Sequence, residues 1–167
     1  MALLRKAFLM ALLPVAIVIG DAAIKSSAFA AEKLFFQGDM VRGVPKTGPT
    51  GPVCVLASQF RHKEMVVWRI RVYDPDKSQQ LGKASLKSIV VELPNGKHFN
   101  MRYGTHPPKH PSDTYWTAAW VIPESYPTGT FAYKVVATDM AGKTHTWEPF
   151  TIKSSQFTVV AAKMMKK

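Results

Sequence analysis

The chain has 167 residues, and its 22 Lys and Arg against 11 Asp and Glu give a net charge of +11 at pH 7. Its single cysteine excludes an intrachain disulfide. The lysines are scattered and no basic–aromatic stacking motif accompanies them. The charge therefore predicts no nucleic-acid partner and favours an acidic protein, an acidic polymer or an anionic membrane surface.

The first 30 residues have the three-part layout of a secretory signal peptide. Arg5 and Lys6 precede the uncharged, mostly apolar run 7–20, which is shorter than the roughly 20 residues needed to cross a bilayer. Ala28 and Ala30 place small residues at the positions that signal peptidase accepts. We expect cleavage after Ala30 and a periplasmic or secreted mature chain without a transmembrane segment. The general secretory and twin-arginine routes both stay open.

The mature chain has the length of one domain. Residues 31–52 form an N-terminal segment that ends in a Gly- and Pro-rich linker, which can be neither helix nor central strand. We assign the folded domain to residues 53–162 and a basic tail to residues 163–167.

Two strands are predicted in the first part of the domain. Cys54 lies in the apolar run 53–57, which predicts a strand with the thiol buried like a small hydrophobic side chain. The segment Met65–Tyr73 alternates with a period of two, which is typical of a strand with one buried face. Its buried face is predicted to carry Val66, Trp68, Ile70 and Val72, and its other face Val67, Arg69, Arg71 and Tyr73.

The rest of the domain is also predicted to be β-structure. Residues Ser88 to Tyr103 form a hairpin around Asn95-Gly96, because both turn residues tolerate positive φ. Later strands are predicted at Tyr115–Ile122, Gly129–Asp139, Thr144–Ile152 and Gln156–Val160. No segment shows a sustained helical period. About seven short strands separated by turns predict an all-β fold, an antiparallel β-sandwich, with a closed barrel as the alternative.

Two stretches resemble bacterial immunoglobulin-like or fibronectin type III-like domains. The first is Val72-Tyr73-Asp74-Pro75 followed by the strand 88–93 and Asn95-Gly96. The second is the segment 126–135, running into Ala137-Thr138-Asp139 and Gly142-Lys143-Thr144. The resemblance covers roughly residues 52–160 and implies an immunoglobulin-like β-sandwich. It implies little about function, since this fold serves adhesion, carbohydrate contact and spacing alike.

The leading functional hypothesis is an exported, non-enzymatic accessory or binding module. No Ser-His-Asp arrangement and no Gly-rich phosphate loop is apparent, so the sequence predicts no enzyme and no cofactor. The predicted contact face carries Arg69, Arg71 and Tyr73, and a second candidate is the loop from Tyr103 to Asp113 with the neighbouring Tyr115. The expected partner is a periplasmic or envelope protein of acidic character.

The alternative hypothesis is a periplasmic copper-binding or redox-accessory protein. Thioether, thiol and imidazole groups suit copper, and the sequence supplies several of them. The candidate ligands are His62, His106 and His110, which fall in predicted loops, together with Cys54. Prolines between His106 and His110 impose an extended path that turns the two imidazoles in different directions.

Overall fold

The computed structural model describes residues 33–46, 54–106 and 113–161. The predicted signal peptide, most of the predicted linker with the first residue of the predicted domain (47–53), His110 and the basic tail lie outside the described residues. Within the described part the protein is all-β, with twelve strands and no helix. The predicted all-β class is therefore confirmed.

The strands alternate with short turns. In chain order they are β1 (Phe35–Gly43), β2 (Gln59–Arg61), β3 (Met65–Asp74), β4 (Gln79–Gln80), β5 (Leu86–Glu92), β6 (His98–Asn100), β7 (Arg102–His106), β8 (Asp113–Val121), β9 (Gly129–Phe131), β10 (Lys134–Asp139), β11 (Thr144–Trp147) and β12 (Phe157–Val160).

These strands form three sheets. The large sheet has the order β1-β3-β8-β7, with β4 paired to the end of β3. The second sheet has the order β11-β10-β5-β6, and the small sheet has the order β2-β12-β9. Neighbouring strands are antiparallel except β2 and β12, which pair in parallel. The mainly antiparallel pairing agrees with the sequence prediction, and the parallel pair was not predicted.

One hydrophobic core joins the three sheets. Trp68 on β3 is fully buried, and its ring lies 5.4 Å from Phe99, 6.2 Å from Tyr133 and 5.9 Å from Phe157 between centroids. These partners come from the second sheet, from the turn before β10 and from the small sheet. The predicted buried face of β3 is confirmed, because alternate residues from Val66 to Val72 are inaccessible to solvent. The arrangement is β-sandwich-like.

The large sheet begins before residue 53. Strand β1 pairs with β3 along its whole length, from Phe35 opposite Tyr73 to Gly43 opposite Met65. Phe36 and Met40 are buried in the core, but Gly38 stands between them and hides the alternation in the sequence. The polypeptide from residue 35 thus contributes an edge strand ahead of the boundary we placed at residue 53.

Two segments predicted as continuous strands each divide between sheets. The hairpin turn is confirmed, with Gly96 at φ +78°, but its return strand leaves β5 after Asn100 and a last hydrogen bond from the Met101 N–H to the Ile89 carbonyl. Past Met101 the chain continues as β7 in the large sheet. Likewise β9 pairs with β12, whereas β10 pairs with β5. Such crossings between sheets leave alternation intact, which is why the sequence shows one strand where there are two.

The predicted strand Thr144–Ile152 ends early, at Trp147. Pro149 lacks a backbone N–H and begins an irregular loop in which Phe150 is 82% exposed. A hydrophobic pattern predicted a strand here, and the structure instead presents an aromatic side chain to solvent.

The prediction that Cys54 is buried in a strand is wrong. Cys54 is exposed, and its φ of +58° places it outside extended geometry. The following residues touch β1 only through edge contacts, with Leu56 in a single bridge to Val41. An apolar run that pairs along one edge does not enter the core.

Candidate functional site

The predicted contact face is the outer face of the large sheet, and its arginines are engaged within the protein. Arg69 and Asp39 occupy directly paired positions on β3 and β1. Arg69 Nε donates a 2.7 Å hydrogen bond to Asp39 Oδ1, and Arg69 Nη2 donates one of the same length to Asp39 Oδ2. This fork-to-carboxylate contact raises the pKa of Arg69, against the opposing effect of partial burial.

Arg71 is held in a second network at the start of β8. Its Nη2 donates a 2.7 Å hydrogen bond to the Tyr115 hydroxyl and forms an ion pair with Asp113. The Tyr115 hydroxyl in turn donates to Asp113 Oδ2 at 3.0 Å. The guanidinium carbons of Arg69 and Arg71 lie 5.0 and 4.3 Å from the Tyr115 ring centroid. Both predicted contact arginines therefore have an acidic partner on the same face.

The two other predicted contact tyrosines lie on different surfaces. Tyr73 shares the outer face with Arg71, and its ring lies 6.1 Å from the exposed ring of Phe35. Tyr103 instead packs against Trp116 at 5.2 Å, and its hydroxyl donates to Thr114 Oγ1 at 3.2 Å. The structure thus brings together Arg69, Arg71, Tyr73 and Tyr115 but places Tyr103 apart from them.

The candidate copper ligands are not brought together in the described residues. The His62 ring nitrogen Nε2 lies 2.7 Å from the Tyr126 carbonyl, beyond the end of β8. His106 pairs with Asp113 at the start of β8, so the two histidines lie at opposite ends of that strand. Cys54 lies beside Arg42 on the outer edge of β1. Across residues 33–46, 54–106 and 113–161, no three His, Cys, Asp or Glu side chains form a metal-binding group.

A cleft of about 650 Å³ opens where the edge of β1 meets the edge of β11. Its walls carry exposed apolar side chains from three separate segments: Phe35 at 59%, Leu56 at 67% and Phe150 at 82% exposure. Its floor is aromatic, with Phe36 stacked on Trp147 at 6.3 Å and an interplanar angle of 4°. We call it the apolar cleft.

The backbone of β1 faces this cleft as an open strand edge. The backbone groups of Met40 and Arg42 that point away from β3 bond to the segment 54–57. The Arg42 N–H donates to the Val55 carbonyl, the Cys54 N–H to the Arg42 carbonyl, and the Ala57 N–H to the Met40 carbonyl. Because hydrogen-bonding direction alternates along a strand, Phe36 and Gly38 point their N–H and C=O groups to the same side. No hydrogen bond joins these groups to another described residue.

The apolar cleft carries no unpaired charge among the residues that line it. Its one carboxylate, Asp39, is bound by Arg69, and its remaining polar side chains are serines and Tyr133. Burial, reinforced by the nearby Asp39 charge, raises the pKa of Tyr133, so its hydroxyl stays protonated. The cleft is suited to an uncharged, largely apolar group.

The chain matches no family model, no curated protein and no solved structure. In the part of the chain that the structure describes, no helix is long and apolar enough to cross a membrane. Sequence reasoning missed the apolar cleft because it left Phe35 in an N-terminal segment outside the folded domain and assigned Phe150 to a strand. The available signal was Pro149, which limits β11 and frees Phe150 for the surface.

Proposed function

We propose that this chain is an exported, non-enzymatic binding module with an immunoglobulin-like fold, which docks on a periplasmic or envelope protein. Its contact site is the apolar cleft and the open edge of β1. The observation that carries the proposal is the grouping of Phe35, Leu56 and Phe150 around a cleft that borders strand backbone with no partner among the described residues. Grouped exposed apolar side chains mark interaction sites on soluble proteins.

An extended, uncharged segment of the partner fits this site best. The N–H and C=O groups of Phe36 and Gly38, which bond to no other described residue on this side, match those of an added strand, which is a common mode of peptide recognition. The lining offers an incoming chain apolar side chains and serine hydroxyls, with no unpaired cation or carboxylate. A charged segment would lose hydration there without gaining a partner.

The outer face of the large sheet is a weaker candidate than we expected from the sequence. Arg69 and Arg71 already contact Asp39, Asp113 and Tyr115. An acidic partner would have to displace these carboxylates, so little net attraction is available. The copper alternative gains no support from the described residues, which hold His62 and His106 at opposite ends of β8.

The test compares surface variants in the organism that encodes the protein. Leu56→Ser combined with Phe150→Ser removes two exposed side chains of the apolar cleft without touching the core. Met140→Ser, at an equally exposed residue in the β10–β11 turn, is the matched control. Tagged proteins are captured from detergent-solubilised envelope, and the co-purifying proteins are quantified by mass spectrometry.

We expect the wild-type chain and Met140→Ser to retain one stoichiometric partner that the double variant loses. Retention of that partner by the double variant would overturn the contact site. Export is checked on the same preparation by N-terminal sequencing, which should begin at Ala31. A chain that keeps residues 1–30 and stays in the cytoplasm would overturn the exported role.

A further inference from the structure

A second cleft of about 650 Å³ lies at the opposite edge of the large sheet, between β7 and the beginning of β5. Three exposed cations line it: Lys83 in the turn before β5, Lys87 on β5 and Arg102 on β7. None of the described residues that line it is acidic. We call it the cationic cleft.

These three cations have no ion-pair partner among the described residues. The acidic residue of the neighbouring strand β10 is engaged elsewhere. Asp139, which pairs in register with Leu86, accepts from the Lys143 N–H at 2.9 Å and lies 3.3 Å from His145 Nε2. The positive charge of the cleft is therefore uncompensated, in contrast to that of Arg69 and Arg71.

The shape of β5 directs Lys87 into this cleft. The register between β5 and β10 shifts beside Thr138 and Asp139, and Lys87 is left without a partner residue in β10. Such bulges reorient a side chain at the end of a strand. On the other side of β5, the return strand pairs through Asn100 opposite Val90 and ends with a 2.9 Å hydrogen bond from the Met101 N–H to the Ile89 carbonyl. Lys87 and Ser88 thus have a neighbouring strand on one side only.

The cleft also has an apolar part. The rings of Tyr103 and Trp116 contact each other at 5.2 Å and line the cleft beside the cations. Ser88 and Asn100 add neutral hydrogen-bonding side chains. A ligand for this site carries several negative charges with apolar groups next to them, and it is extended enough to lie along an open strand.

We propose that the cationic cleft binds an acidic, extended segment of a protein through carboxylate contacts to Lys83, Lys87 and Arg102. The open side of β5 favours a peptide over a lipid headgroup, because a peptide backbone can continue the sheet beyond β6. This site is separate from the apolar cleft, so it stands or falls independently of the function proposed above.

The test measures binding of synthetic peptides to the purified protein by titration calorimetry. The probe is a short peptide of alternating Glu and Val, and its control is the same peptide with Lys in place of Glu. The test variant is the triple reversal Lys83→Glu, Lys87→Glu and Arg102→Glu. The control variant reverses Lys33, Lys97 and Lys153, three exposed lysines outside the cleft, and so changes the net charge equally.

We expect the Glu–Val peptide to bind the wild type and the control variant. The triple reversal should weaken binding by about tenfold or more, and raising the salt concentration should weaken it as well. Circular dichroism confirms that each variant is folded. Where the triple variant does not fold, the single variants Lys83→Gln and Arg102→Gln replace it.

Three outcomes would overturn the proposal. In the first, the Lys–Val peptide binds as well as the Glu–Val peptide. In the second, both charge-reversal variants lose affinity equally, which shows an effect of net charge alone. In the third, phosphatidylglycerol vesicles bind through Lys83, Lys87 and Arg102 and the Glu–Val peptide does not, which assigns the cleft to a membrane surface.

Discussion

Arg69 and Asp39 face each other across β3 and β1, and two 2.7 Å hydrogen bonds join the guanidinium to the carboxylate. The pair is partly accessible, with side-chain exposures of 20% for the arginine and 38% for the aspartate. It joins β1, the edge strand beside the apolar cleft, to β3 in the interior of the large sheet. The pair therefore stabilises the site that we propose for the partner.

The first prediction concerns the strength of this pair. A double-mutant cycle with Asp39→Ala and Arg69→Ala, followed by urea unfolding, should give a coupling free energy of about 1 kcal/mol. Paired hydrogen bonds to a charged carboxylate exceed an ordinary surface ion pair, but partial exposure limits the gain. Additive effects of the two substitutions would show that the pair contributes nothing to stability.

The second prediction concerns Gly38, where β1 passes close to the core. A Cβ atom there would lie 2.6 Å from Trp147 Cη2 and 2.7 Å from Ile70 Cδ1. Gly38→Ala should therefore lower the free energy of unfolding by about 1–3 kcal/mol through overpacking. Gly104→Ala on β7 is the matched control, since nothing lies within 4 Å of its added Cβ. Equal stability of the two variants in urea unfolding would contradict the close approach.

The third prediction concerns pH and Asp74, the last residue of β3. Its carboxylate accepts a 2.8 Å hydrogen bond from Lys77 Nζ. It also accepts hydrogen bonds from the backbone N–H groups of Asp76 and Lys77. The hydrogen bond from the Lys77 side chain, with these amides, lowers the pKa of Asp74 from its ordinary value of 3.8.

A carboxylate whose pKa is lower in the folded state stabilises the fold above its unfolded pKa, and this stabilisation is lost as pH falls through the folded value. The contribution of Asp74 to the free energy of unfolding should therefore be constant near neutrality and be lost below about pH 4. Asp74→Asn should be less stable at pH 7 and should decline less steeply in acid. Parallel pH profiles for the variant and the wild type would show that Asp74 is not responsible.

The fourth prediction concerns Cys54. An exposed thiol should react fully with a water-soluble maleimide in the folded protein, without denaturant. Mass spectrometry should detect one adduct per chain, because the sequence contains one cysteine. A thiol that reacts only after unfolding would restore our original interpretation, a buried cysteine in a strand.

The sequence predicted well what depends on local alternation and turn chemistry. The buried face of β3 and the Asn95-Gly96 turn need only a two-residue period and a residue that accepts positive φ. It failed where neighbours in space decide. Gly38 lies in β1 because it pairs with Ile70, and a glycine fits there because Trp147, more than a hundred residues away in the chain, occupies the space of a side chain.

The candidate sites were harder to predict than the fold. Arg69 and Arg71 looked available for a partner, but their carboxylate partners lie on other strands and are not neighbours in sequence. The cationic cleft gathers Lys83, Lys87 and Arg102 because the chain passes at Met101 from β6 in the second sheet to β7 in the large sheet. That crossing has no local signal, since the apolar alternation continues through it.

The central claim is that a partner segment adds to the open edge of β1 in the apolar cleft. Amide hydrogen exchange of Phe36 and Gly38, with and without the partner that the wild-type protein captures, tests it most directly. These outward N–H groups should exchange fast in the free protein and at least tenfold more slowly in the complex. The turn at Asp139–Lys143 should exchange equally in both states. Unchanged exchange at Phe36 and Gly38 in a saturated complex would contradict the account.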